Sequence, residues 1–452
     1  MKKHALWLAT VVALGGCVVS SCESSNYQVV SGEPDYTGKS ETNVMRIGAW
    51  VAPPIGNWNQ NGNDDFVTQE CYDDVAESGI NVIYDLYARG NQEATLKALE
   101  YAKNAGIKYL ARDYITQDPE AMELEQGDLH KITEAYDSHE ALAGWLMSDE
   151  PSADDFDMLG RLHTFFKNEY PGKEFYVNLF PTYANISQTK TDNYGDYLDQ
   201  YIEKVNPDFL SYDHYCMMQD GYGNKKLTED VLWNLEMVAN RCKAAGIPMY
   251  TFVQAMSYDL ATRVPNEAEI RFQVLTQMAY GSRSLQYFCY WTPLEFTMGS
   301  PAMITVDGEK TDIYYAVKNV NAEIRAWDEA YLEFTWEGTL PIVGTNNDPE
   351  TIVKQFAMME TPLTEVAAIA SYEATENTII GTFKGNDERD AFLIQNFTDP
   401  AESKTDDVSV TFNNATHALV YHGTEKSVVE LQGGTYDVSI APGDGVFVIP
   451  YR

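Results

Sequence analysis

The sequence predicts a (β/α)8 TIM barrel followed by a C-terminal antiparallel β-sandwich. Three observations predict it. Between residues 46 and 332, eight short apolar runs alternate with segments whose apolar residues recur every three to four positions. Three of those segments end in Gly-Ile, at Gly79, Gly106 and Gly246. Beyond residue 336 the helical period gives way to short β runs separated by turn formers.

The predicted barrel strands are 46–51, 81–87, 108–112, 142–147, 174–179, 208–212, 248–253 and 284–290. Val67, Cys71 and Val75 lead to Gly79; Leu96, Leu99 and Ala102 lead to Gly106; Leu232, Leu235 and Val238 lead to Gly246. A glycine there stops a helix at C′ and turns the chain into the next strand. Residues 314–332 read as the closing helix. No Gly-x-Gly-x-x-Gly follows a strand, so nothing points to a nucleotide, and the spacing favours a barrel over a doubly wound sheet. The sandwich is expected from runs at 378–383, 391–396, 408–412, 417–421, 427–431, 434–440 and 445–450. Its expected role is to pack under the barrel and stabilise it.

Residues 1–22 read as a lipoprotein signal peptide: Lys2-Lys3, an apolar segment over 5–14, then small residues. Leu14-Gly15-Gly16-Cys17 resembles a lipobox, and Val19-Ser20-Ser21-Cys22 is a second candidate, so lipidation is expected at Cys17 or Cys22. Residues 23–43 read as a polar tether, 44–335 as the barrel and 336–452 as the sandwich. The expected location is the bacterial cell envelope, with the chain lipid-anchored at the outer membrane. The formal charge of −37 excludes electrostatic attachment to nucleic acid. Cys71, Cys216, Cys242 and Cys289 stand singly, with no spacing for zinc or a disulfide framework. No metal site and no cofactor is expected.

In such a barrel, chemistry sits at the C-terminal strand ends. Those ends carry Trp50; Tyr84 and Tyr87; Arg112; Asp149 and Glu150; Asn178; Asp213, His214 and Tyr215; Gln254; and Tyr290 and Trp291. Flat rings beside carboxylates and amides suit the faces and hydroxyls of a sugar, so an oligo- or polysaccharide is the expected partner. A capping role is the alternative for Asp149 and Glu150, since acidic residues favour helix N-termini. Arg112 is either a substrate clamp or a counter-ion, His214 reads as a scaffold residue, and Trp291 as a platform beneath a sugar ring.

With Asp-Glu-Pro at strand 4, Ser-Tyr-Asp-His-Tyr at strand 6 and Phe-Cys-Tyr-Trp at strand 8, the chain resembles the (β/α)8-barrel glycoside hydrolases of the broad clan that includes β-galactosidases. The resemblance implies glycosidic hydrolysis, with Glu150 as general acid. It departs from that clan at Asp149, where the clan has Asn, and at Gln254, where it has a nucleophilic Glu. An amide cannot form the glycosyl ester. Three routes stay open: Asp213 as general base on water, with inversion; a substrate acetamido group as nucleophile, oriented by Asp149 and held by Tyr215 or Tyr290; or a barrel that binds glycan without cleaving it. Segments 55–65, 114–128, 181–193, 219–226 and 292–308 are expected to shape the cleft.

Overall fold

The computed structural model describes residues 27–41, 43–56, 65–86, 91–112, 133–296, 299–347 and 353–452. The lipidation candidates Cys17 and Cys22 lie outside them. Eight parallel strands close a barrel: β1 (Arg46–Trp50), β2 (Val82–Tyr84), β3 (Lys108–Ala111), β4 (Leu142–Asp149), β5 (Glu174–Leu179), β6 (Leu210–Tyr212), β9 (Met249–Gln254) and β10 (Ser284–Phe288). Between β6 and β9 comes a two-stranded hairpin, β7 (Met217–Gln219) and β8 (Lys225–Leu227), which the sequence reading treats as loop. At three residues each, the strands are too short to show a period.

The helices surround the barrel. The left-handed conformation at Gly246 (φ 68°) lets its N–H reach the Cys242 and Lys243 carbonyls and end the Val231–Ala245 helix. At Gly79 (φ 84°) there is also no room: a Cβ would come within 2.8 Å of Asn321 Cβ on the closing Asp312–Tyr331 helix. Among the described residues no helix is long and apolar enough to cross a membrane.

The C-terminal part has a six-stranded sheet in the order β11 (Phe334–Ile342), β13 (Thr378–Gly385), β14 (Asp390–Asn396), β19 (Gly445–Tyr451), β16 (His417–His422), β17 (Glu425–Glu430). A three-stranded sheet, β12 (Ile369–Ala374), β15 (Asp406–Phe412) and β18 (Thr435–Ile440), covers one face. The sequence runs omit β11 and β12. A register shift between Trp336 and Gly338 interrupts the alternation of β11, and β12 is mostly exposed, so neither shows the period-two pattern. β19 is buried along its whole length because its sheet has two covered faces, the second against the barrel helices.

The two parts touch backbone to backbone. A Cβ on Gly381 of β13 would stand 2.3 Å from the Ala279 carbonyl oxygen, at the end of the Glu267–Met278 helix. Gly381→Val should therefore destabilise the protein by about 1–3 kcal/mol, read as a lower urea midpoint. Residues 27–41 also depart from the tether reading. Gly32 N–H donates to Arg452 O at 2.7 Å, Arg452 N–H donates to Val30 O at 3.2 Å, and Tyr36 packs on Phe334. Tyr27, Val29 and Tyr36 supply the apolar anchors that hold this polar stretch down.

Candidate active site

On a regular strand, neighbouring side chains point to opposite faces. The β4–β5 pairing shifts register between Leu146 and Ser148, which sets Asp149 opposite Asn178. Glu150 then takes a left-handed backbone (φ 50°), and its N–H donates to Asn178 O at 2.8 Å. Such a conformation costs a non-glycine residue about 1–3 kcal/mol. The helical turn that follows, Ala153–Asp155, has Ser152 as its N-cap in a capping box, where the Asp155 carboxylate accepts from Ser152 N at 3.0 Å and Ser152 Oγ at 2.9 Å. The capping task is thus filled without Asp149 or Glu150.

Asn178 joins two of the carboxylates. Its Nδ2 donates to Asp149 Oδ1 at 3.3 Å and to Asp213 Oδ1 at 3.1 Å. The amide orientation is fixed from below, because Ser211 Oγ donates to Asn178 Oδ1 at 3.0 Å. Ser211 belongs to a polar column inside the barrel. Gln286 Nε2 donates to Ser211 at 3.1 Å, Tyr176 donates to Gln286 Oε1 at 2.6 Å, and Tyr84 bonds both Gln286 and Arg46. Arg46 pairs with Glu174 at 2.7 Å at the N-terminal ends of β1 and β5.

The electrostatics follow from this crowding. Burial and the neighbouring Asp149 charge push the Glu150 carboxyl up to about 7. Burial, then Glu150 and Asp149, raise Asp213 well above the usual carboxylate range, against the pull of the Asn178 amide. Asp149 is open to solvent from the cleft, but the surrounding protein thins its hydration and raises it, while Arg112 and Asn178 oppose. Asn178 offers hydrogens to Asp149 and Asp213. Among the described residues no side chain offers one to Glu150.

The other predicted site residues fall into two groups. Arg112 is buried with its charge acting on Asp149, which fits the counter-ion reading. Tyr215 borders the mouth, packed on Tyr258 and Phe288, yet is nearly covered. His214 is a scaffold residue: its Nε2 donates to Asp230 Oδ1 at 3.0 Å. Burial alone would raise Asp230, but its hydrogen bond and ion pair with His214 and its bond from Thr182 bring it to about 2.

Five expectations need correction. Trp50 fills the barrel interior against Tyr84, Tyr176 and Phe252. Tyr84 is part of the buried column described above. Tyr290 faces the outer shell, where Tyr314, Asp74 and Tyr72 surround its hydroxyl, so it cannot hold an acetamido group. Trp291 is buried against Phe66, with ring centroids 4.5 Å apart, and offers no platform. Gln254, 0% exposed, is a staple: its Nε2 donates to Arg263 O at 2.8 Å and Met217 O at 3.3 Å. Each of these side chains reaches a neighbour in the packed interior, which strand-end position alone does not reveal. Tyr87 lies outside the described residues.

Sequence reading passed over Tyr183 and Tyr258. Tyr183 is 53% exposed, with its ring 5.2 Å from His214 and its hydroxyl in the field of Asp213 and Glu150. Tyr258 also lies within the field of Asp213 and Glu150. Both come a few residues past a strand end, so the Pro181-Thr182-Tyr183 turn after β5 was the available signal. Segment 181–193 reaches the mouth through Tyr183; 114–128 lies outside the described residues. A small cavity of about 10 Å³ between Tyr212, Val231, Phe252 and Gln277 is a packing gap behind the site, which none of the three carboxylates lines. Among the described residues, no group of three or more His, Cys, Asp or Glu is placed to hold a metal ion.

No protein-family model matches the sequence, and a search of curated proteins finds no similar chain. Solved structures do match. An α-amylase from Anoxybacillus aligns with a TM-score of 0.52 at 11% identity, over 93% of this chain and 99% of that one. A protein named as a glycoside hydrolase aligns at 0.51 and 12% identity, over 90% of this chain and 93% of the other. At these identities the likeness is one of fold: a parallel eight-stranded barrel with an attached β-sandwich, as found in glycoside hydrolases.

Proposed function

We propose that this protein hydrolyses glycosidic bonds of an oligo- or polysaccharide, with Glu150 as the general acid. One observation carries the reading: the mouth gathers Asp149, Glu150 and Asp213, two of them tied by Asn178, with Glu150 held near neutrality. Glu150 gives its proton to the glycosidic oxygen as the bond to the anomeric carbon breaks. Gln254 is withdrawn from the mouth, so the attacking group comes from elsewhere. Asp213 takes a proton from a water that attacks the opposite face, with inversion. Alternatively, a substrate acetamido oxygen attacks while Asp149 accepts the amide N–H, with retention. The envelope location rests on the apolar leader and its lipobox-like cysteines. Because the chain is seated on the sandwich from Tyr27 onward, lipid at Cys22 would hold the sandwich beside the bilayer.

The test is product release from a glycan panel that includes N-acetylhexosaminides, with the anomer of the first product read by NMR. Inversion selects the Asp213 route; retention confined to N-acetylated sugars selects the acetamido route. The acid must hold its proton, so kcat/KM should fall about tenfold per unit of pH above about 7. A flat profile to pH 9 would remove Glu150 from that role, and binding without turnover would reduce the barrel to a glycan receptor.

A further inference from the structure

Tyr183 combines two properties that rarely coincide by accident, exposure and fixation. Among the described residues it is one of the few large apolar side chains left more than half open to solvent, and an exposed ring gains nothing in stability from being held still. Yet its loop is pinned at the residue before it. Thr182, the preceding residue, donates from its backbone N–H to Asn234 Oδ1 at 3.0 Å and from its hydroxyl to Asp230 Oδ2 at 2.6 Å. The other oxygen of Asp230 accepts from His214, and the His214 ring lies 5.2 Å from that of Tyr183. The Tyr215 backbone N–H faces the Tyr183 hydroxyl. His214, Asn234 and Thr182 are otherwise unused by the chemistry proposed above.

We propose that Tyr183 is a substrate-contacting residue. It is a preorganised aromatic wall and hydroxyl donor for the pyranoside ring at the scissile bond, and Thr182, Asp230 and His214 are the positioning residues that hold it. The inference rests on the glycosidic reading of the site and names the side chain that meets the sugar. Desolvation of its hydroxyl, with the adjacent carboxylates Asp213 and Glu150, disfavours the phenolate. The phenolic proton is therefore available to a substrate oxygen. Ordering the ring in advance removes a side-chain entropy cost from binding. A neutral sugar fits, because a uronate would be repelled by the carboxylates beside Tyr183.

The experiment uses 1-deoxynojirimycin, its galacto epimer and its 2-acetamido counterpart as probes, because binding of these sugar-shaped amines requires no turnover. Calorimetric titration of the intact protein should show binding of at least one. Tyr183→Ala should weaken it about tenfold or more, and Tyr183→Phe by a smaller factor through loss of the hydroxyl alone. Thr182→Val should weaken it at unchanged melting temperature, and Thr182→Ser, which keeps the donor, should restore it. Equal affinity in wild type and Tyr183→Ala overturns the contact, as does a wild type that binds none of the three probes. Unchanged affinity in Thr182→Val overturns the positioning role. Probe binding that depends on Tyr183, in a protein without turnover on the glycan panel, upholds the contact and defeats hydrolysis.

Discussion

Glu150→Gln should lower turnover by about 10²–10⁴, the usual contribution of a positioned general acid, while making the protein more stable at alkaline pH. The two effects share one cause. Burial and the Asp149 charge lift the carboxyl from its ordinary 4.5 to about 7, so the native state binds that proton more tightly than the unfolded chain does. Stability is then lost as pH rises from about 4.5 through about 7, and above that the penalty stands in full, of order 1–3 kcal/mol. An amide of the same shape carries no charge and escapes the penalty. The variant should therefore melt higher than wild type at pH 8 and equally at pH 4.5. Thermal scans at both pH values, beside turnover on the same preparations, check this. Undiminished activity would remove Glu150 from the chemistry, and a variant less stable at pH 8 would contradict the crowding of the three carboxylates.

Arg263→Met should cost about 3–5 kcal/mol, because it leaves the buried carboxylate of Asp399 without its counter-charge, while Glu269 keeps Lys225 at 3.2 Å. Arg263 is 1% exposed and makes a two-pronged contact with Asp399, Nη2 to Oδ1 at 2.6 Å and Nη1 to Oδ2 at 2.9 Å. Its Nε stands 3.1 Å from Glu269 Oε1, and Glu269 has no exposed surface. The Arg263 carbonyl receives the Gln254 amide, and its guanidinium reaches the carbonyls of Met218 and Lys226 in the β7–β8 hairpin. One side chain thus locks the end of β9, the hairpin after β6 and the Asp399 loop of the sandwich. Denaturant unfolding should show the loss. Adding Asp399→Leu should recover part of it, because the stranded charge disappears. A shift under 1 kcal/mol for the single variant would mean that water enters the junction and screens it.

Gln254 shows why strand-end position was an incomplete guide. Its place at the end of β9 was legible from the apolar run before it, but its direction was not. Whether a side chain enters the mouth or turns back is decided by what surrounds it, here the carbonyls of Met217 and Arg263. Trp291 failed for the same reason, with Phe66 taking its face. Asp149, Glu150 and Asp213 were found because two runs stop abruptly at acidic residues. That the first two serve one mouth depended on a register shift and a left-handed residue that alternation forbids.

By itself the sequence determined the barrel, the number and order of its strands, the change to β structure after the closing helix, and Glu150 as the carboxyl to watch. Those follow from periodicity, Gly-Ile stops and the chemistry of single residues, all local along the chain. Only the tertiary structure decided that Asn178 binds Asp149 and Asp213 together, that Gln254 and Trp291 face inward, that residues 27–41 lie against the sandwich, and that Tyr183 is held at the mouth. Hydrogen bonds and burial between residues distant in sequence carry no periodic signal, so they become visible only when the strands are side by side.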